Sequence, residues 1–189
     1  VLTMAGCDNT ASSAASNLSD SSASSVTASA SETAGYKVEK SLSSVKLTLP
    51  ISAVTNQIDF DAKEYARKNG YKEVIVNDDN SVTITMSKKQ YTQMLENIKK
   101  NIDNSLASAV NASPTPYIKS ITSGEDYKTI TVDVERAGFN AAGGSTMPYT
   151  IGTLGASYQQ YLGMNPKCEV IVRDADTQET IFSIIYPVA

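Results

Sequence analysis

The sequence predicts an α+β body: a mainly antiparallel sheet of six to seven strands with about three helices on one face. Three observations predict it. Apolar residues alternate at period two in short runs, as in Val45-Lys46-Leu47-Thr48-Leu49. They recur at helical spacing from Tyr91 through Ile98 to Val110. The alternating runs also come in pairs around turn residues near positions 79, 125 and 176, each pair after a helical stretch. The order is one strand followed by three helix–hairpin units, a single domain over residues 36–189.

Each element has a local reason. Tyr36 and Val38 begin a short strand, and Val45, Leu47 and Leu49 form a half-buried one that Pro50 ends. Asp59 or Asp61 caps a short helix through Asn69, stopped by Gly70. Glu73–Val76 enters the turn Asn77-Asp78-Asp79-Asn80, and Val82, Ile84 and Met86 line the return. Ser87 and Gln90 form a capping box for the longest helix, from Lys88 to about Asn111. Tyr91, Met94, Leu95, Ile98, Ile102, Leu106 and Val110 mark its apolar face; Pro114 and Pro116 end it.

A second hairpin runs over Tyr117–Thr122, turns at Ser123–Asp126 and returns with Ile130, Val132 and Val134. Phe139–Pro148 reads as an irregular, Gly-rich apolar loop, long for a compact domain. A third helix over Tyr149–Leu162 turns Ile151, Leu154, Tyr158, Tyr161 and Leu162 inward. Gly152 and Gly155 weaken it by roughly 1 kcal/mol each relative to Ala, and permit close packing on a neighbour. The last hairpin is Cys168–Arg173, a turn at Asp174–Gln178, and Thr180–Tyr186. Hairpins imply antiparallel pairing and clean alternation implies one covered sheet face, while a crossover between hairpins leaves room for a few parallel neighbours.

Composition removes several function classes. The chain of 189 residues carries a net charge of −4, which argues against a nucleic-acid footprint and a polybasic membrane patch. It contains no His, so Ser-His-Asp and Cys-His catalysis and His-based zinc sites are excluded. It contains no Trp, the favoured platform for sugars and quaternary amines. Two Cys without a CxxC do not make a disulfide scaffold, and no pattern asks for a cofactor.

The first residues read as a processing signal. Val1-Leu2-Thr3-Met4-Ala5-Gly6-Cys7 is apolar and small, and a polar tract follows it at once. Met4, Ala5, Gly6 and Cys7 resemble a bacterial lipobox, with Met where Leu is usual. The resemblance implies that a diacylglycerol is joined to Cys7 by a thioether, that the chain is cut before it, and that a third acyl chain caps the new amino group. Residues 1–6 are then the remnant of a lipoprotein signal peptide from a longer precursor. Residues 7–35 are the lipidated Cys and a Ser/Ala tether: of Asp8–Gly35, 20 of 28 residues are Ser, Ala or Thr. Such a stretch buries too little apolar surface to offset its ordering entropy, and as a coil it spans about 30 Å.

Candidate sites in the body are few. Cys168 alternates with Val170 and Val172, as a small core hydrophobe does, and no His is present to activate it. Three acidic groups carry oxygen ligands suited to calcium: Asp59 with Asp61 and Glu64, Asp78 with Asp79, and Asp174 with Asp176 and Glu179. None has EF-hand spacing, and Asp is what turns and helix caps use, so each group reads as turn or cap ahead of calcium and no metal is expected; the Asp174, Asp176, Glu179 group comes first among the three. Phe139, Met147, Tyr149, Tyr158 and Tyr161 sit on or near the Gly-rich loop and third helix, a candidate aromatic binding surface.

Lys46-Leu47-Thr48-Leu49-Pro50, Asn80-Ser81-Val82-Thr83-Ile84-Thr85-Met86-Ser87-Lys88 and Ile184-Ile185-Tyr186-Pro187 resemble segments of uncharacterised exported lipoproteins of Gram-positive gut and oral bacteria. The resemblance covers most of residues 36–187, and its motifs are structural. It implies placement on the outer face of a single membrane and no particular activity. The expected function is a membrane-anchored extracytoplasmic lipoprotein with a non-enzymatic domain that binds an envelope protein, peptide or polymer. The alternative is a small-ligand or solute-capturing lipoprotein, and behind it a carboxylate-based envelope enzyme.

Overall fold

The computed structural model describes residues 35–56, 59–110, 112–143 and 146–187. Cys7 and the tether up to residue 34 lie outside the described residues. The body is α+β, with two four-stranded sheets and four helices.

The first sheet holds β1 (Lys37–Lys40), β2 (Ser44–Pro50), β3 (Glu73–Val76) and β4 (Ser81–Ser87) in the order β1-β2-β4-β3. Every pair is antiparallel, with Leu47 opposite Ile84 at the centre and Val74 opposite Ile84 on the other side. Helix α1 (Ala62–Asn69) joins the two hairpins. The Asp61 carboxylate accepts from the N–H groups of Lys63 and Glu64, both at 2.9 Å, and Gly70 at φ 66° closes the C-terminus. A left-handed φ there suits Gly, which has no Cβ to clash.

The second sheet holds β5 (Ile118–Ser123), β6 (Thr129–Val134), β7 (Cys168–Asp174) and β8 (Thr180–Tyr186) in sequence order. β6 and β7 are parallel, with Val132 opposite Val172. The crossover between them carries α3 (Arg136–Ala141) and α4 (Met147–Tyr161).

The single six- to seven-stranded sheet predicted by hairpin counting is therefore incorrect. The reason lies in where β4 ends. Ser87 closes β4 and also caps α2 (Lys88–Ala109), accepting from Gln90 N–H while the Gln90 side chain bonds back to Ser87 N–H. The chain thus leaves a central strand directly into 22 helical residues, about 33 Å of rise. That carries β5 away from the first sheet, and a second one starts.

Helix α2 is the shared spine. Tyr91 and Met94 enter the core over the first sheet with Leu47, Val82 and Met86. Ile102 and Leu106 enter the core over the second with Ile130, Val132 and Val170. Leu95 touches both. Helix α4 packs on the second sheet through Gly152 and Gly155. A Cβ on Gly152 would lie 2.7 Å from Tyr186 Cβ, and one on Gly155 would lie 2.7 Å from Cys168 Sγ. The helix pays the propensity cost of two glycines in return for close approach to the sheet. The far end of α4 reaches the first sheet: the Tyr161 ring meets Tyr36 edge-on at 5.2 Å, and Tyr91 Oη donates to Tyr161 O at 2.7 Å.

Candidate functional site

Of the five residues in the predicted aromatic surface, the structure gathers few. Phe139 is not in a loop but in α3, buried against Tyr117 with ring centroids 6.0 Å apart. The Glu135 carboxylate starts α3 by accepting from Ala137 and Gly138 N–H, at 2.9 and 2.7 Å. A side-chain cap and one buried ring thus override what looked like irregular chain. Tyr158 is buried edge-on against Tyr127 at 5.2 Å, Tyr161 packs on Tyr36, and Met147 packs against the second core. Only Tyr149, 41% exposed, faces solvent as a surface residue would. The five do not form one recognition surface.

The Asp174 group is also reassigned. Arg136 Nε donates to Asp174 Oδ2 at 2.6 Å, and its terminal nitrogen reaches Glu179 Oε2 at 3.2 Å. The other Asp174 oxygen accepts from Asp176 N–H and Thr177 N–H in the β7–β8 turn. The guanidinium pairs with both carboxylates, and its hydrogen bond holds the Asp174 carboxyl below the usual carboxylate range. In the same way Asp79 accepts from Ser81 N–H and Oγ and serves its turn. Among the described residues, no three acidic or thiol groups are arranged to hold a metal ion. Cys168 is fully buried, and burial pushes its thiol up to about 11, away from nucleophilic chemistry.

The third acidic group sits in a different setting. Phe60 directly precedes the α1 cap, and Tyr65 lies on the face of α1 turned toward the first sheet. Their rings stand 5.3 Å apart at 59°, and Tyr65 continues to Tyr71 at 5.9 Å. Beside this pair opens a cavity of about 480 Å³, lined by both rings, by Asp59, Asp61 and Glu64, and by Lys68 at its rim. Val54, Thr55 and Asn56 complete its lining. The volume is within the range of small-ligand sites, about 300–1,000 Å³. Three carboxylates against one ammonium make a negative mouth over an aromatic floor. Burial raises the Tyr65 hydroxyl above its ordinary value, so the floor stays neutral at physiological pH.

A larger hollow of about 540 Å³ lies between Pro116, Tyr117, Glu135 and Ala142. Its walls are mostly Pro, Gly and Ala, and its one carboxylate is occupied in capping α3. The α1 cavity is the better candidate: Asp61 caps α1 as Glu135 caps α3, but Asp59 and Glu64 line the α1 cavity as well, beside two aromatic rings.

Sequence reading found Asp59, Asp61 and Glu64 but set them down as calcium ligands or caps, which is right only for Asp61. It missed Phe60, Tyr65 and Lys68. The signal was present in Asp59-Phe60-Asp61, an aromatic between two acids at a helix start, with Tyr65 one turn on. Set against family models, curated proteins and solved structures, the chain finds a match in none of the three.

Proposed function

We propose that the chain is an extracytoplasmic lipoprotein, held to the outer face of the cytoplasmic membrane by acyl chains on Cys7, whose body binds an amine-bearing group of an envelope peptide or polymer. The anchor reading rests on Met4-Ala5-Gly6-Cys7 at the junction of an apolar and a polar tract. Each buried methylene contributes about 0.8 kcal/mol, so two or more acyl chains hold stably. Among the described residues, no helix is long and apolar enough to cross a membrane.

The binding reading is carried by one observation: the Phe60–Tyr65 ring pair and three carboxylates line one cavity. A cation over an aromatic face gains about 0.5–1 kcal/mol at an exposed site and about 2 when desolvated. Nearby carboxylates add attraction and select against anions. The reading is of a binder, not a catalyst: the chain has no His, and the one thiol of the body is buried.

Two measurements test it. Mass spectrometry of the protein from membrane fractions should find diacylglycerol on Cys7; an unmodified thiol in a soluble fraction would end the anchor reading. Titrating the full chain with Nα-acetyl-lysine methylamide, followed by amide NMR, should move signals within residues 54–68. The norleucine analogue, and the variant Asp59→Asn with Glu64→Gln, should abolish the response. No shift at about 10 mM, where even a millimolar site is mostly filled, would reject an amine ligand. A free small solute is the second reading, favoured by the cavity's volume alone.

A further inference from the structure

Every open sheet has two edges, and an edge strand displays unpaired N–H and C=O groups that invite another strand. The two sheets here have four edges: β1, β3, β5 and β8. Three carry common protections. β1 reads Lys-Val-Glu-Lys, charged at three of its four positions. β3 has only four residues and starts with Glu73. β5 carries exposed Lys119, and its pairing with β6 is irregular between Ile118 and Ser120.

The fourth edge has neither charge nor shortness to protect it, and its irregular pairing, between Val172 and Arg173 of β7, is confined to its first residues. β8 is Thr-Ile-Phe-Ser-Ile-Ile-Tyr, seven residues without charge, Gly or Pro. No residue of it is buried, although five of seven are large and apolar or aromatic, and Ile185 is 47% exposed. Its inner side pairs with β7, and among the described residues its outer side has no backbone partner. Uncharged β-branched strands of this length are aggregation hazards when left bare.

We propose that β8 pairs with β8 of a second copy of this chain, antiparallel about a two-fold axis at Ser183. The sequence is complementary to itself in that register. Ser183 faces its own mate, Phe182 faces Ile184 of the other copy, and Ile181 faces Ile185. No charge meets a like charge, and the exposed Ile185 gains an apolar neighbour. An isologous contact of this kind uses one patch twice and closes on itself.

The helices fit the same arrangement. α4 lies over the β7–β8 boundary, since Gly152 abuts both Tyr186 of β8 and Val170 of β7. Strands are spaced about 4.8 Å apart, so the two boundaries fall two spacings apart across the axis. The two α4 helices then run about 10 Å apart, a normal interaxial distance for packed helices. The joined eight-stranded sheet ends at β5 on both sides. Those ends carry Lys119 and the irregular pairing, so assembly stops at two copies.

A strand-edge interface falls below the standard of about 800 Å² per partner, the size class of weak and reversible contacts. Confinement of anchored chains to one surface would raise their effective concentration. The inference does not depend on the α1 cavity or on Cys7.

Sedimentation equilibrium of the full chain, carrying Cys7→Ala so that acyl chains play no part, tests it. The protein should dimerise reversibly. Ser183→Lys places two ammonium groups face to face and should weaken association at least several-fold; Ser183→Glu should do the same. Mixing the two variants should restore a dimer at wild-type affinity, because Lys then faces Glu. Circular dichroism should be unchanged throughout. A wild-type monomer at about 100 μM would overturn the proposal. So would variants that dimerise as wild type, or a mixture that fails to recover.

Discussion

Gln159 shows how much one side chain can organise. It lies on α4, almost fully buried, in a setting where an amide without partners would cost stability. Its Nε2 donates to the carbonyls of Asp126, Tyr127 and Lys167, and its Oε1 accepts from Lys167 N–H at 2.6 Å. Asp126 and Tyr127 both hold φ near 53°, a left-handed conformation that costs energy in residues with a Cβ. Gln159 therefore pins a strained turn between β5 and β6 to the entry of β7. Gln159→Leu keeps the volume and removes every bond. It should destabilise the protein by about 3 kcal/mol in urea unfolding, because several backbone groups lose their partner at once. A loss below about 1 kcal/mol would show that water replaces the amide. None of this was legible in the sequence, where Gln159 reads as one more polar position on an amphipathic helix. Cys168 was legible, because alternation with Val170 and Val172 needs no knowledge of the partner strand.

Elements were legible where their signals are local. The Ser87/Gln90 box, the Gly70 stop and the Asn77–Asn80 turn lie within a few residues of what they control, and each stands where the sequence places it. The stripe of α2 was legible as a face, but not as a face divided between two cores. α3 was not legible, since a six-residue helix shows too few turns for a period, and its cap Glu135 precedes an Ala-Gly pair that reads as loop. The cavity was half legible: its acids stood out, while its rings depend on how α1 lies over the first sheet. The weight of a local signal can be measured at Ser87, which ends one element and begins the next. Ser87→Ala removes the hydroxyl acceptor for Gln90 N–H and should cost about 1 kcal/mol of stability. Ser87→Asp restores an acceptor and should recover most of it. Equal losses in both variants would assign the effect to the β4 end instead of the cap.

The whole body is two sheets clasped by α2 and by the Tyr161 end of α4, and at that end the clasp is made of Tyr36, Tyr91 and Tyr161. Hairpin counting could not reveal this, because which hairpins share a sheet depends on contacts between residues far apart in sequence, such as Tyr36 with Tyr161. Burial and the neighbouring Tyr161 push the Tyr36 hydroxyl up to about 12, and burial raises Tyr91 in the same layer. An unfolded Tyr ionises near pH 10. Below that value both states keep the proton, and the contribution of these groups is fully present. Between about 10 and 12 the unfolded chain gives up the Tyr36 proton while the folded one retains it, so stability falls as pH rises through that window. Urea midpoints measured from pH 8 to 11.5 should therefore decline above pH 10. Tyr36→Phe keeps the ring on Tyr161 and removes the ionisable group, so its decline should be shallower. Because Leu95 and α2 belong to both cores, amide exchange of β2 and of β6 should accelerate together under these conditions. If β2 exchanged freely while β6 stayed protected, the two sheets would be independent units, and the clasp would be a contact without cooperative weight.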